Sequence, residues 1–186
     1  MRKLLIFVNK FDEDDDLLGF FVGWAKELTQ HLDSVIVVAQ YIGKYEQTSR
    51  LKVILIDKNK IPNPIKRALK FISLLFQLKK DYNGVLVIMA PAWAVVASLM
   101  TKILGKKLYL WYAVWRGNWK LRLAEKAVDK IFCSVPEAFP FKTAKLIPIG
   151  QGIDTDFFKP DETKRKFNKI LYLGRISPIK KIDILL

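Results

Sequence analysis

The sequence predicts an α/β protein with a doubly wound, mostly parallel sheet, and three observations carry that reading. Short, nearly continuous apolar runs rich in Val, Ile and Leu recur along the chain, as strands buried on both faces require. Amphipathic stretches long enough for helices separate several of them. The two kinds of segment alternate, which is the order of a parallel sheet with helices on its faces. With 51% hydrophobic residues, the 186-residue chain has ample material for a buried core.

Taken in order, residues 4–8 (Leu-Leu-Ile-Phe-Val) form the first strand, and 20–32 the first helix. The acidic residues 12–16 lie between them, immediately before a helix start, where carboxylates complement the N-terminal dipole and can cap it. Strands follow at 35–39 and 53–56, then a helix at 65–78 and a strand at 85–89. Residues 84–104 run 21 positions with Lys102 as the only charge, the pattern of a membrane span. Pro91 divides this run into a β-rich piece and a helix-length piece at 93–104, so a strand followed by a packed helix is the expectation. A strand at 107–111, a helix at 120–128 and strands at 130–133 and 145–147 complete the pattern. In such sheets ligands bind beyond the C-terminal ends of the strands, at the topological switch. Functional residues are therefore expected after Val8, Met89, Trp111 and Ile147.

Charge points to an anionic partner. The net charge is +14, and five of the eighteen acids are confined to residues 12–16. Residues 58–80 carry seven basic side chains and no acid. A phosphorylated ligand, a nucleic acid or acidic lipid would each suit such a surface. The single cysteine, Cys133, excludes an internal disulfide or a cysteine cluster. The apolar run at 4–8 is too short for a secretion signal, which makes the cytoplasm the expected compartment, with peripheral attachment to the inner face of the membrane as a variant.

The most specific stretch lies near the C-terminus. Gly150-Gln151-Gly152-Ile153-Asp154-Thr155-Asp156-Phe157-Phe158-Lys159-Pro160 leads into a charged run, then into Tyr172-Leu173-Gly174-Arg175-Ile176-Ser177-Pro178-Ile179-Lys180. This G-x-G-I-D-x-x-x-F-x-P and Y-L-G-R-x-S-P-x-K pair resembles the interdomain junction of retaining glycosyltransferases with two Rossmann-like domains, the GT-B type of glycosyltransferase group 1 or family 4. Leu110-Trp111-Tyr112 and residues 120–129 are similar to a segment of bacterial members that modify cell-envelope sugars. The resemblance implies an acceptor-side domain at 1–160, a linker at 161–168 and, at 169–186, the opening strand and helix start of a truncated second Rossmann-like, donor-binding domain.

The resemblance also assigns candidate residues. Arg175 and Lys180 match the arginine and lysine that hold the donor's diphosphate, and two cations at a strand-to-helix corner suit that role. Gly19 stands where the family places a glycine-containing loop facing donor and acceptor, with Asp16 beside it. Trp111, Trp115, Arg116 and Asn118 follow a strand end and can stack on a sugar face or bond its hydroxyls; packing against helices is the equal alternative. Where relatives carry a histidine after the aromatic pair, this chain has Val114. The only histidine, His31, ends the first helix and suits a structural role; Cys133 lies in an apolar run. Carboxylates at 12–16 invite a metal reading, but the family uses no metal held by such a motif.

Ile65, Ala68, Leu69, Ile72, Leu75 and Phe76 fall on one face of the 65–78 helix, with Lys66, Arg67 and Lys70 largely elsewhere. This describes a core-packed helix with a solvated face, and equally an interfacial helix resting on anionic lipid.

The reaction implied is transfer of a sugar from a nucleotide diphosphate sugar to a glycan or lipid-linked acceptor, in cell-envelope polysaccharide synthesis. No cofactor beyond that substrate and no nucleic acid are expected, and this chain by itself is expected to be inactive. A non-catalytic binding or scaffold domain, a basic nucleic-acid-binding protein and a sugar-nucleotide epimerase are the alternatives.

Overall fold

The computed structural model describes residues 2–156, 158–161, 168–169, 171–174, 176, 178 and 181–184. By its internal contacts the chain divides into two units, Met1–Gly152 and Ile153–Leu186.

The first unit is a seven-stranded sheet in which every neighbouring pair is parallel. Its strands are β1 (Lys3–Phe11), β2 (Ser34–Ile42), β3 (Leu51–Leu55), β4 (Gly84–Ile88), β5 (Lys107–Trp111), β6 (Lys130–Cys133) and β7 (Leu146–Pro148). They lie in the order β3-β2-β1-β4-β5-β6-β7. The sequence order reverses between β1 and β4, so the topological switch falls between those two C-terminal ends.

Four helices connect the strands: α1 (Phe20–His31), α2 (Pro64–Gln77), α3 (Pro91–Ile103) and α4 (Trp119–Ala127). α2 and α4 begin where asparagine side chains cap them. Asn63 Oδ1 accepts from the amides of Ile65 and Lys66, and Asn118 Oδ1 from that of Leu121. Pro64 and Pro91 occupy first-turn positions of α2 and α3, where no backbone donor is lost. Residues 84–104 are β4 followed by α3, as the break at Pro91 indicated. No helix among the described residues is long and apolar enough to cross a membrane.

Alternation along each strand sorts the core onto two faces. One face joins Leu5, Phe7, Val85, Val87, Leu108 and Leu110 to the inner sides of α2, α3 and α4. The other joins Ile6, Val8, Val35 and Val37 to Phe21, Val22 and Ala25 of α1. The two faces are not covered equally. Leu4, Leu86, Tyr109 and Phe132 open into a groove of about 780 Å³ walled by Trp24 and Leu28 of α1. The alternation required helices on both faces; three helices share one and α1 alone takes the other.

α2 corrects the expected face. Arg67, Phe71 and Leu75 point inward, whereas Ile65, Leu69 and Phe76 are exposed. Phe71 decides the rotation, since its ring meets Phe7 at 4.8 Å and Trp93 at 5.6 Å. Arg67 is 7% exposed, and its guanidinium donates to the carbonyls of Ile61 and Pro62 at 2.7 and 2.8 Å.

In the second unit, Leu171, Tyr172 and Leu173 were expected to lie in a strand but carry no strand pairing, and a 3-10 turn spans Ile182–Ile184. A strand is defined by a partner ladder, and residues 171–173 are not assigned to one. Residues 162–167, most of the expected linker, fall outside the described residues.

Candidate functional site

The C-terminal ends of β1, β4, β5, β6 and β7 carry the loops in which a ligand of this fold would lie. The loop after β1 is held by its own charges. Lys10 Nζ lies 3.2 Å from Asp12 and 2.8 Å from Asp15, while Lys44 Nζ lies 2.7 Å from Glu13. Asp12 is nearly buried, and burial pushes its carboxyl upward. The Lys44 amide and the Lys10 ammonium outweigh that and hold it below the ordinary carboxylate range. Asp15, with Lys10 beside it and the amides of Leu18 and Leu17 donating to it, is held down to about 2. Those amides precede α1, so Asp15 organises the approach to the helix, while Asp16 is exposed beside it.

Gly19 closes this loop. Its backbone is right-handed, but a Cβ there would come within 2.6 Å of the Glu13 carbonyl and 2.7 Å of the Asp15 carbonyl. The close approach that demands glycine is therefore to the chain's own acidic loop.

At the switch, β4 leads into Met89, which the sequence placed as the last residue of the strand. Met89 has φ of 52°, a left-handed conformation uncommon for a side chain of its size. Its amide donates to the Trp111 carbonyl at 2.9 Å, and its Sδ accepts from the Ala113 amide at 3.5 Å. Strain of this kind, of order 1–3 kcal/mol, collects at sites whose backbone is fixed by neighbours. Nothing in Met89-Ala90-Pro91 announces a positive φ, because methionine carries no turn preference.

The loop after β5 divides between core and surface. Trp111 is 3% exposed and meets Trp24 edge-on at 4.9 Å, so it is a core residue and no open platform for a sugar ring. It ends a central strand, and α1 packs over that strand end. Val114, where relatives carry a histidine, is partly buried against the α2–α4 core. Trp115 is 63% exposed, with the Arg116 guanidinium over its ring at 4.9 Å. The Arg116 carbonyl accepts from Tyr112 Oη at 3.1 Å, which folds the loop back on its strand. Asn118 is committed to capping α4 through Oδ1. Arg116 and Trp115 thus form an exposed planar, cationic and aromatic pair suited to a sugar or phosphate group.

The Cys133 thiol ends β6 fully buried, and burial foremost, then Glu137, pushes its pKa up, which suits an inert core group. His31 is exposed at the end of α1 opposite Glu27 at 3.3 Å. Beyond β7, Gly150 and Gly152 have φ of 80° and 60°, and the Trp24 indole donates to the Gly152 carbonyl at 3.2 Å. Arg175 and Lys180 lie outside the described residues. Of the other expected residues, Gly19, Asp16, Trp115, Arg116 and Asn118 all stand on C-terminal strand loops of one sheet. Lys66 and Lys70 are exposed on α2, and the buried Arg67 is not available to a membrane surface.

These features define a class: an α/β protein with the seven-stranded parallel Rossmann-like sheet of one GT-B domain. Comparison with solved structures gives the same class. The chain is similar to HepE from Anabaena, solved with UDP, at 12% identity and a TM-score of 0.61, over 87% of this chain and 47% of that one. Its likeness to HepE solved with UDP-glucose has a TM-score of 0.60 at 11% identity, over 88% of this chain and 47% of that one. MurG from Acinetobacter baumannii is similar at 13% identity and a TM-score of 0.54, over 78% of this chain and 45% of that one. The chain thus spans about half the length of the structures it matches, the extent of one GT-B domain. No family model matches the chain, and no curated protein matches it.

Proposed function

We propose that this chain is the acceptor-side domain, with the opening of a donor-side domain, of a retaining GT-B glycosyltransferase that uses a nucleotide diphosphate sugar. The observation that carries the reading is the seven-stranded parallel sheet with its switch between β1 and β4, where the Gly19 loop and the Trp115–Arg116 loop share one rim. The likeness to HepE, whose structures hold UDP and UDP-glucose, supports a nucleotide sugar as the ligand class. Arg175 and Lys180 neutralise the departing diphosphate, the main demand of this chemistry. Arg116 and Trp115 hold the acceptor, a glycan or a lipid-linked sugar. The chemistry is mostly positioning and electrostatic support of the departing diphosphate.

Two preparations test it: the product of the complete reading frame and the 186-residue chain. Incubated with UDP-glucose and a panel of glycan and lipid-linked acceptors, the former releases UDP and glycosylates an acceptor, and Arg175→Ala or Lys180→Ala weakens donor binding. The 186-residue chain shows no turnover. Turnover by the short chain, or donor binding indifferent to both substitutions, would overturn the reading.

A further inference from the structure

We infer that the rim after β5 and β6 is a subsite for an acidic sugar residue of an oligosaccharide acceptor, set apart from the residue that reacts. Three cations there lie over three aromatic rings. The Arg116 guanidinium carbon stands 4.9 Å from the Trp115 ring centre, Lys120 Nζ 5.5 Å from that of Trp119, and the Arg122 guanidinium carbon 3.7 Å from that of Phe141. Trp115 and Trp119 are exposed, and so are all three cations.

The backbone beneath them is fixed before any ligand arrives. Tyr112 Oη donates to the Arg116 carbonyl, and Asn118 caps α4. Gly117 lies so close to the loop after β6 that a Cβ there would come within 2.6 Å of the Phe141 ring and 2.9 Å of Pro140. The ring that carries Arg122 therefore abuts the neighbour of Arg116, and both guanidinium groups belong to one patch. Preorganisation of this kind lowers the ordering cost of binding.

Charge and shape select the ligand. Residues 82–124 contain no acid, and Lys142, next to Phe141, adds an exposed cation. Among the described residues no salt bridge involves Arg116, Lys120 or Arg122. Glu125, the nearest acid in sequence, accepts from Thr143 instead. A guanidinium stacked by its face keeps its N–H fork free for the paired oxygens of a carboxylate or phosphate, while exposed indoles take sugar faces. Position separates this patch from the reacting centre. The switch lies between β1 and β4, and β6 stands two strands beyond β4, about 10 Å away at the ordinary strand spacing. A patch there holds a second sugar of a chain whose end reaches the switch, and supplies binding energy remote from the chemistry. The inference rests on the transferase reading, whose acceptor it describes.

Titration calorimetry on the purified chain, without donor, tests it. The probes are a tetrasaccharide carrying glucuronate, its carboxyl-reduced neutral form, and the neutral form carrying a phosphate monoester. At least one acidic probe is expected to bind about tenfold or more tighter than the neutral one, and the better of the two identifies the oxyanion. Arg116→Gln with Arg122→Gln abolishes that preference, and Trp115→Ala weakens the acidic probe about tenfold. Lys66→Gln with Lys70→Gln, on α2, makes the same change in net charge and alters binding by less than about twofold. All five positions are exposed, and unchanged circular dichroism melts show that folding is not at issue. Equal binding of neutral and acidic probes, equal loss from the α2 pair, or binding of none of the three would overturn the inference. So would a single-stranded oligonucleotide that binds more tightly through the same two arginines. Because no donor is present, these outcomes are read apart from UDP-glucose binding and turnover by the complete reading frame, so the two readings fail separately.

Discussion

The indole of Trp24, on α1, donates to the carbonyl of Gly152, 128 residues further along, at 3.2 Å. The same indole meets Trp111 edge-on, so one side chain ties the first helix to the ends of β5 and β7. The chain can turn there because Gly150 and Gly152 both adopt positive φ.

Gly152→Ala should destabilise the protein by about 1–2 kcal/mol from the left-handed backbone alone. A Cβ would also stand 3.1 Å from Trp24 Nε1. Gly105 has a similar φ of 63° with nothing near its would-be Cβ, so Gly105→Ala reports the backbone cost by itself. Urea unfolding of both variants separates the two contributions. Equal losses would show that the indole contact does not constrain position 152.

Acid sensitivity should arise in the loop after β1. Asp15 titrates at about 2 when folded, below the ordinary carboxylate, chiefly because Lys10 bonds it. A depressed folded value means that its stabilisation is complete above about pH 4 and is lost as pH falls toward 2. Thermal melts between pH 5 and 2 should show a shallower acid decline for Asp15→Asn than for the parent chain. The Lys10 ammonium is correspondingly raised to about 12, mainly by Asp15 and then Asp12. Its contribution is present below the ordinary lysine value and is lost only as pH rises through about 12.

Asn118→Ala should cost about 1 kcal/mol through loss of the α4 cap, whereas Asn118→Asp should keep most of it. Denaturant midpoints measure this. A capping role predicts the same loss with or without a sugar acceptor, so an acceptor-dependent difference would show that Asn118 also touches ligand.

Arg67 and its neighbours on α2 should behave oppositely. Arg67→Ala leaves the Ile61 and Pro62 carbonyls without their donor and should cost about 1–3 kcal/mol. Lys66→Ala and Lys70→Ala, on the exposed side, should change stability by less than about 0.5 kcal/mol. Chemical denaturation of the three variants checks the contrast.

Much of the sheet was legible because period and composition are local. β5 and β6 fall where their apolar runs lie, and β4 and α3 divide at Pro91 because proline lacks the donor a continuous helix needs. The rotation of α2 was not legible. Phe71 and Leu75 compete for the core with Leu69 and Phe76, and hydrophobicity alone ranks them alike. The site was legible as loops but not as contacts. Trp111 and Trp115 are identical in sequence terms, yet one is buried beneath α1 and the other is in solvent.

By itself, the sequence determined the alternation of elements, the parallel sheet and the loops at its ligand-binding edge. All of these follow from side-chain period and turn chemistry within a few residues. Only the tertiary structure decided that Lys10 clamps Asp12 and Asp15, that Gly19 is demanded by the acidic loop and that Met89 turns left-handed at the switch. It also decided that Phe71 and Leu75 of α2 face the core while Ile65, Leu69 and Phe76 face outward. Those outcomes depend on which surfaces meet once the chain has folded, and burial is a property of neighbours, not of residue types.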